Sequence, residues 1–177
     1  MSQKVRLATV WLDGCSGCHM SFLDMDERLV ELAEKVDLVY SPLVDAKEFP
    51  PGVDVTLVEG AVSSTEDEHR IRLIRDRTNI LVSLGDCAVT ANVPSLRNPM
   101  GVEAVLRRAY IENVLLQPQV PSEGLPSLLP WVRPVHAVVS VDVFMPGCPP
   151  SADTIYFALT ELVAGRLPDF GTGIRFG

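Results

Sequence analysis

Residues 4–18 read Lys4-Val5-Arg6-Leu7-Ala8-Thr9-Val10-Trp11-Leu12-Asp13-Gly14-Cys15-Ser16-Gly17-Cys18. A mostly apolar run stops at Asp13-Gly14 and passes directly into a CxxC turn. The run over 4–12 predicts a strand, and apolar residues on consecutive positions place that strand in a sheet covered on both faces. Working outward, the unit recurs. Phe22, Leu23, Leu29, Val30, Leu32 and Ala33 fall at helical spacing and predict a helix from about His19 to Lys35. Further strands are expected at Val36–Tyr40, Val53–Val58, Asn79–Leu84 and Val135–Val139, the last reaching toward Val143. Helices are expected from Ser63 or Ser64, with Asp67 in a capping position, over Gly101–Tyr110, and over Ser151–Ala164 ahead of Gly165. Lys47–Gly52 and the Pro-, Ser- and Gly-rich Gln117–Pro130 are expected as loops. Strands alternating with helices predict an α/β fold with a doubly wound parallel sheet, in a single domain spanning residues 1–177.

The charge balance narrows the partners. The chain has 23 acidic against 15 basic side chains, a formal charge of -8. Such a chain has no electrostatic reason to bind nucleic acid or an anionic membrane surface. Arg70, Arg72, Arg75 and Arg77 are interleaved with Glu66, Asp67, Glu68 and Asp76, which reads as a solvated helix face. No stretch approaches the ~20 apolar residues of a membrane span. The first residues run straight into a strand and resemble no signal peptide. A cytoplasmic, reducing location is the expectation. Disulfides are then disfavoured, and metal or redox chemistry becomes the better account of grouped cysteines.

The four cysteines all follow expected strand ends. Cys15 and Cys18 come after the first strand, Cys87 after the fourth and Cys148 after the fifth. In a parallel α/β sheet, the crevice beyond the carboxyl ends is where ligands bind. Four thiolates converging there fit one iron–sulfur cluster, expected to be [4Fe–4S]. Gly14, Gly17 and Gly147 flank the cysteines and Gly85 lies two residues before Cys87, which lets backbone approach the sulfurs, while Gly60 follows the third strand at the same crevice. Asp13, Glu59 and Asp86 are placed to bring negative charge near the cluster, or simply to cap loops. Two rivals stand beside this reading. A dithiol redox pair would use Cys15 and Cys18 and leave Cys87 and Cys148 unexplained. A structural four-cysteine zinc module usually pairs two CxxC-like knuckles, and here there is one.

Four segments together resemble the small subunit of [NiFe] hydrogenases. They are Trp11–Ser21, Val58–Val62, Ser83–Ala88 and Met145–Pro150, in the family's order and across most of the chain. The resemblance implies a flavodoxin-like domain whose Cys15, Cys18, Cys87 and Cys148 hold the proximal [4Fe–4S] cluster. Without the C-terminal extension and twin-arginine leader of larger members, the chain is similar to small subunits of the cytoplasmic bidirectional NAD(P)-reducing type. The cluster subunit of complex I-like oxidoreductases is a related branch and the alternative. That branch has two adjacent cysteines where this chain has Cys15-x-x-Cys18.

The resemblance further implies an electron-transfer subunit with no complete active site of its own. Its partners would be a nickel–iron large subunit and iron–sulfur and flavin diaphorase subunits. FMN is allowed by a flavodoxin-like fold but not favoured, because Gly14–Cys18 is committed to cysteines and carries few hydroxyls. The Cys-bearing loops, Trp11, Phe22 and Met145 are candidates for the large-subunit interface, with a core position as the alternative for each.

Overall fold

The computed structural model describes residues 4–171. Five parallel strands form its centre: β1 (Val5–Trp11), β2 (Val36–Tyr40), β3 (Val53–Glu59), β5 (Thr78–Leu84) and β7 (Val143–Met145). They lie in the order β2-β1-β3-β5-β7. The chain leaves β1 toward β2 on one side and returns to β3 on the other, so the order reverses between β1 and β3. That is the flavodoxin-like arrangement, and the reversal opens a crevice at the strands' carboxyl ends.

Both faces are covered, which explains the unbroken apolar runs. Leu7, Val55, Leu57, Val82 and Leu84 face Phe22, Ile155 and Leu159. Their neighbours Ala8, Val10, Val58 and Leu81 face Ile71, Ile74 and Ala88. Consecutive residues of one strand thus serve opposite cores, as period-two geometry requires. The helices are α1 (Gly17–Leu23), α2 (Arg28–Ala33), α3 (Thr65–Asp76), α4 (Asp86–Thr90), α5 (Val102–Arg107) and α6 (Ala152–Val163). Ser64 caps α3: its hydroxyl accepts from the Asp67 N–H, and the Asp67 carboxylate accepts in return from the Ser64 N–H. Ser151 caps α6, and Gly165 follows it with φ 75°.

Three sequence expectations are corrected. The continuous helix from His19 to Lys35 is two helices. The chain turns at Asp26, which sits in the left-handed region (φ 51°) that Asp tolerates. The turn drives Met25 into the core and leaves Val30 exposed. The strand expected at Val135–Val139 is a 3-10 turn, Val135–Ala137, after Pro134. Val135 is still fully buried, so the apolar run is real but is not a strand. The strand β7 starts only at Val143 because Asp142 fixes it. The Asp142 N–H donates to the Leu81 carbonyl, and its Oδ2 accepts from the Leu81 N–H and from Arg75 Nη1. Finally, Leu128–Arg133 forms β6, antiparallel to a short β4 (Val62–Ser64). Pro130 within it demotes it on sequence grounds, and a two-stranded edge is where such a strand survives.

The link from β2 to β3 has no helix. Residues 41–52 run as a loop, with Phe49 buried against Tyr40 edge-to-face at 5.2 Å. Trp11 is 43% exposed, whereas Phe22 and Met145 are buried at 7% and 0%, so those two are core residues and leave the interface expectation to Trp11. Among the described residues, no helix is long and apolar enough to cross a membrane.

Candidate metal centre

Each cysteine rests on an element that ends at the crevice. The β1 strand delivers Cys15 in a loop whose shape is fixed from two sides. The Asp13 N–H donates to the Ala61 carbonyl at 3.1 Å, and the Ala61 N–H returns to the Asp13 carbonyl at 2.7 Å. Gly60 lies under this crossing with φ 92°. A Cβ there would come within 2.8 Å of the Leu12 carbonyl carbon, so only glycine lets the two loops touch. Gly14 closes the same contact from the other loop, with Gly60 Cα 3.2 Å from where its Cβ would be. The chain then enters α1, which carries Cys18. Cys87 lies in α4, one residue into the helix after β5. Cys148 follows β7.

Asp86 ties the last two loops together. Its N–H donates to the Gly147 carbonyl at 2.9 Å, and its Oδ1 accepts from the Gly147 N–H at 2.7 Å. The Cys87 and Cys148 loops therefore hold one relative position. Ser21 completes the ring by donating its hydroxyl to the Pro150 carbonyl at 2.5 Å, which joins α1 to the Cys148 loop.

The four thiols are free, with Cys15 and Cys148 exposed, Cys87 half-buried and Cys18 buried. Burial pushes the Cys18 thiol up strongly, and Glu59, Cys87, Cys15 and Cys148 each add to that push. Burial likewise raises Cys87, with Cys148 and Cys15 adding to it and a backbone N–H from Val93 opposing it. Both of these thiolates are thus disfavoured by their neighbours: the four sulfurs lie near enough to repel one another. Among the described residues, no three His, Cys, Asp or Glu side chains close around a single point.

Donors already face the sulfurs. The Gly17 N–H points at Cys15 Sγ (3.4 Å), and Asn92 Nδ2 at Cys148 Sγ (3.8 Å). Gly85 lies against Cys18: a Cβ there would fall 2.2 Å from Cys18 Sγ. Behind the turn, Glu59 is 2% exposed and takes the His19 backbone N–H on Oε2 at 3.0 Å. The same oxygen meets His19 Nδ1, while His19 Nε2 is buried with no protein partner. These residues fit a group that accepts several thiolates and carries enough positive charge to relieve their repulsion. The sequence-derived residues all lie around this crevice: Asp13, Gly14, Cys15, Gly17 and Cys18 from the first loop, Glu59 and Gly60 from the second, Asp86 and Cys87 from the third, and Gly147 and Cys148 from the last. Asp13 acts through its backbone and Asp86 as a loop clamp. Sequence reasoning, which singled out Gly85 ahead of Cys87, missed His19 and Asn92. The proximity of His19 to Cys18 was a signal for the first; Asn92 gave none.

Residues 15–162 match the family described as NADH ubiquinone oxidoreductase, 20 Kd subunit. The chain is 41% identical to the NAD-reducing hydrogenase HoxS subunit delta of Cupriavidus necator, over 97% of this chain and 85% of that protein. It is 32% identical to the iron-sulfur component of the F420-non-reducing hydrogenase of Archaeoglobus profundus, over 98% of this chain but only 60% of that one. A crystal structure of a NAD+-reducing [NiFe]-hydrogenase in the H2-reduced state contains a chain that superposes with a TM-score of 0.94 at 42% identity, covering 99% of this chain and 100% of that one. A [NiFeSe]-hydrogenase of Dm. baculatum shares the fold at 20% identity and a TM-score of 0.59, over 93% of this chain and 62% of that one.

Proposed function

The chain belongs to the NADH ubiquinone oxidoreductase 20 kDa subunit family, and from that premise we propose that it is the electron-transferring small subunit of a NAD-reducing [NiFe] hydrogenase. The observation that carries the reading is the convergence of four cysteines from three strand ends on one crevice, in a chain 41% identical to a hydrogenase delta subunit over 85% of its length. Bound by Cys15, Cys18, Cys87 and Cys148, a [4Fe–4S] cluster would supply reversible one-electron redox chemistry. One CxxC pair with two distant single cysteines supports a cluster over zinc, whose structural sites usually pair two such knuckles.

The chain's own residues do the rest. Asp86 and Gly60 hold the loops in register. The Gly17 N–H and Asn92 Nδ2 offer hydrogen bonds that favour electron-rich sulfur. Phe22 and Met145 are buried in the same apolar cluster as Cys18.

A nickel–iron large subunit is the proposed donor, and iron–sulfur and flavin diaphorase subunits the acceptors. Exposed apolar side chains near the cysteines support docking there: Trp11, Met20, Val93 and Phe144 are 43%, 59%, 60% and 42% exposed. We place the complex in the cytoplasm, where free thiols persist, and take the chain as one domain without FMN. The test is anaerobic purification of the complex. A brown protein that bleaches reversibly with dithionite, and that loses the iron and EPR signal of one cluster in Cys18→Ser or Cys87→Ser, is expected. Unchanged iron in both variants, with one zinc bound per chain, refutes the reading, and acid-released flavin at one per chain from the isolated subunit refutes the cofactor assignment.

A further inference from the structure

Glu59 ends β3 at the strand-order reversal and is 2% exposed. A carboxylate at that depth needs compensation. Among the described residues its ion-pair partner is His19, 5% exposed, which gives both its backbone N–H and its Nδ1 to one oxygen, Oε2. Facing a carboxylate, Nδ1 is the protonated nitrogen, which fixes the ring's orientation. A side chain present only to fill volume has no need to aim a nitrogen at an acid. The second oxygen, Oε1, lies 3.6 Å from where a Gly14 Cβ would be, so the carboxylate spans from the Cys15 loop to the Cys18 turn. Oε2 accepts the N–H of the residue directly after Cys18, so the carboxylate lies against the turn that carries that sulfur.

We propose that His19 is a positioning residue for the cluster: it holds the Glu59 carboxylate against the cysteine turn and, through it, sets the field at the Cys18 sulfur. The proposal rests on the cluster reading above. It assigns to an imidazole, rather than to the acid alone, control over how much negative charge reaches the redox centre. The orphaned Nε2 is part of the same picture. It is buried in the turn that carries Cys18, with no hydrogen-bond partner among the described residues.

The test uses the purified complex and three variants, with the cluster's midpoint potential read by EPR-monitored titration. His19→Phe fills the volume without a donor. His19→Asn puts an amide nitrogen where Nδ1 stands. Glu59→Gln removes the charge. The expected result is a raised potential in His19→Phe, where the carboxylate is no longer held to the turn, a near-native potential in His19→Asn and a raised one in Glu59→Gln. In the double variant His19→Phe/Glu59→Gln, the His19 effect should vanish. A native potential and EPR spectrum in His19→Phe overturns the proposal even if the melting temperature falls. So does a His19 effect of undiminished size in the Glu59→Gln background. Should His19→Phe fail to assemble, His19→Asn decides: a potential displaced as far as that of Glu59→Gln refutes the Nδ1 role. A complex whose EPR spectrum loses no signal in Cys18→Ser would instead overturn the cluster reading, so the two failures are distinguishable.

Discussion

Replacing Gly85 by alanine is the sharpest test of how the crevice is built. Gly85 has φ 80° and ψ 164°, a region that side chains avoid at a cost of about 1–3 kcal/mol. Strain alone would not single out the site. The Cβ, however, would fall 2.2 Å from Cys18 Sγ. Ordinary contact needs roughly 3.5–4.0 Å, so the sulfur must retreat by about 1.5 Å. Metal ligands tolerate about 0.2 Å. The opposite wall is the Cys148 loop, with the Gly147 carbonyl 3.4 Å from the same Cβ, so the new methyl cannot swing away. Gly85→Ala should therefore lose Cys18 as a ligand, and with it the iron and EPR signal of this cluster. Gly101 supplies the control. Its φ of 80° and ψ of 159° match, and nothing lies within 4 Å of its Cβ. Gly101→Ala should carry the same strain and keep its iron. Both would be purified anaerobically in the complex and assayed for iron and for the EPR signal after reduction. A full iron complement with a native spectrum in Gly85→Ala would show that the Cys18 sulfur is not where this reasoning puts it.

Asp86→Ala removes the carboxylate that the Gly147 N–H donates to at 2.7 Å, a charged hydrogen bond of about 1.5–3 kcal/mol; cluster loss on heating or chelation should speed up while the Asp86 N–H bond to the Gly147 carbonyl keeps the fold. In iron-free chain, iodoacetamide should label exposed Cys15 and Cys148 first and buried Cys18 last. Raised thiols also fix the sign of a pH effect. Folded Cys18 and Cys87 keep their protons above the ordinary thiol value of about 8.5, where the unfolded chain loses them. Stability of the iron-free chain should then fall as pH rises past that value, and a melting temperature flat from about pH 8 to 10 would contradict this. Arg75→Ala deletes the ion pair to Asp142 at 2.5 Å and two bonds to the Thr78 and Asn79 carbonyls. With Asp142 39% exposed on its side chain, a loss of about 1–2 kcal/mol is expected, read by urea unfolding as looser anchoring of β7.

Much of the fold was legible in advance because parallel strands buried on both faces announce themselves as apolar runs. The β2 strand is found at Val36–Tyr40 as expected, and β1, β3 and β5 lie within a residue or two of their expected limits. The misses share a cause. An apolar run such as Val135–Val139 says that residues are buried, not what backbone carries them. Asp142, held by Arg75 from far along the chain, decides that β7 begins at Val143. The turn at Asp26 is equally invisible to helical spacing, since Leu29 and Leu32 stay in phase with either one helix or two.

The local chain thus dictated which residues are apolar, where strands end and that every cysteine follows a strand end. Those are properties of neighbours along the chain. Only the tertiary structure could decide that Asp86 binds Gly147, that Glu59 meets His19 across a gap of 40 positions, and that Gly85 must lack a side chain because Cys18 occupies that space. Such contacts depend on strand order. The reversal between β1 and β3 brings these loop ends together, and no local signal encodes the distance between them.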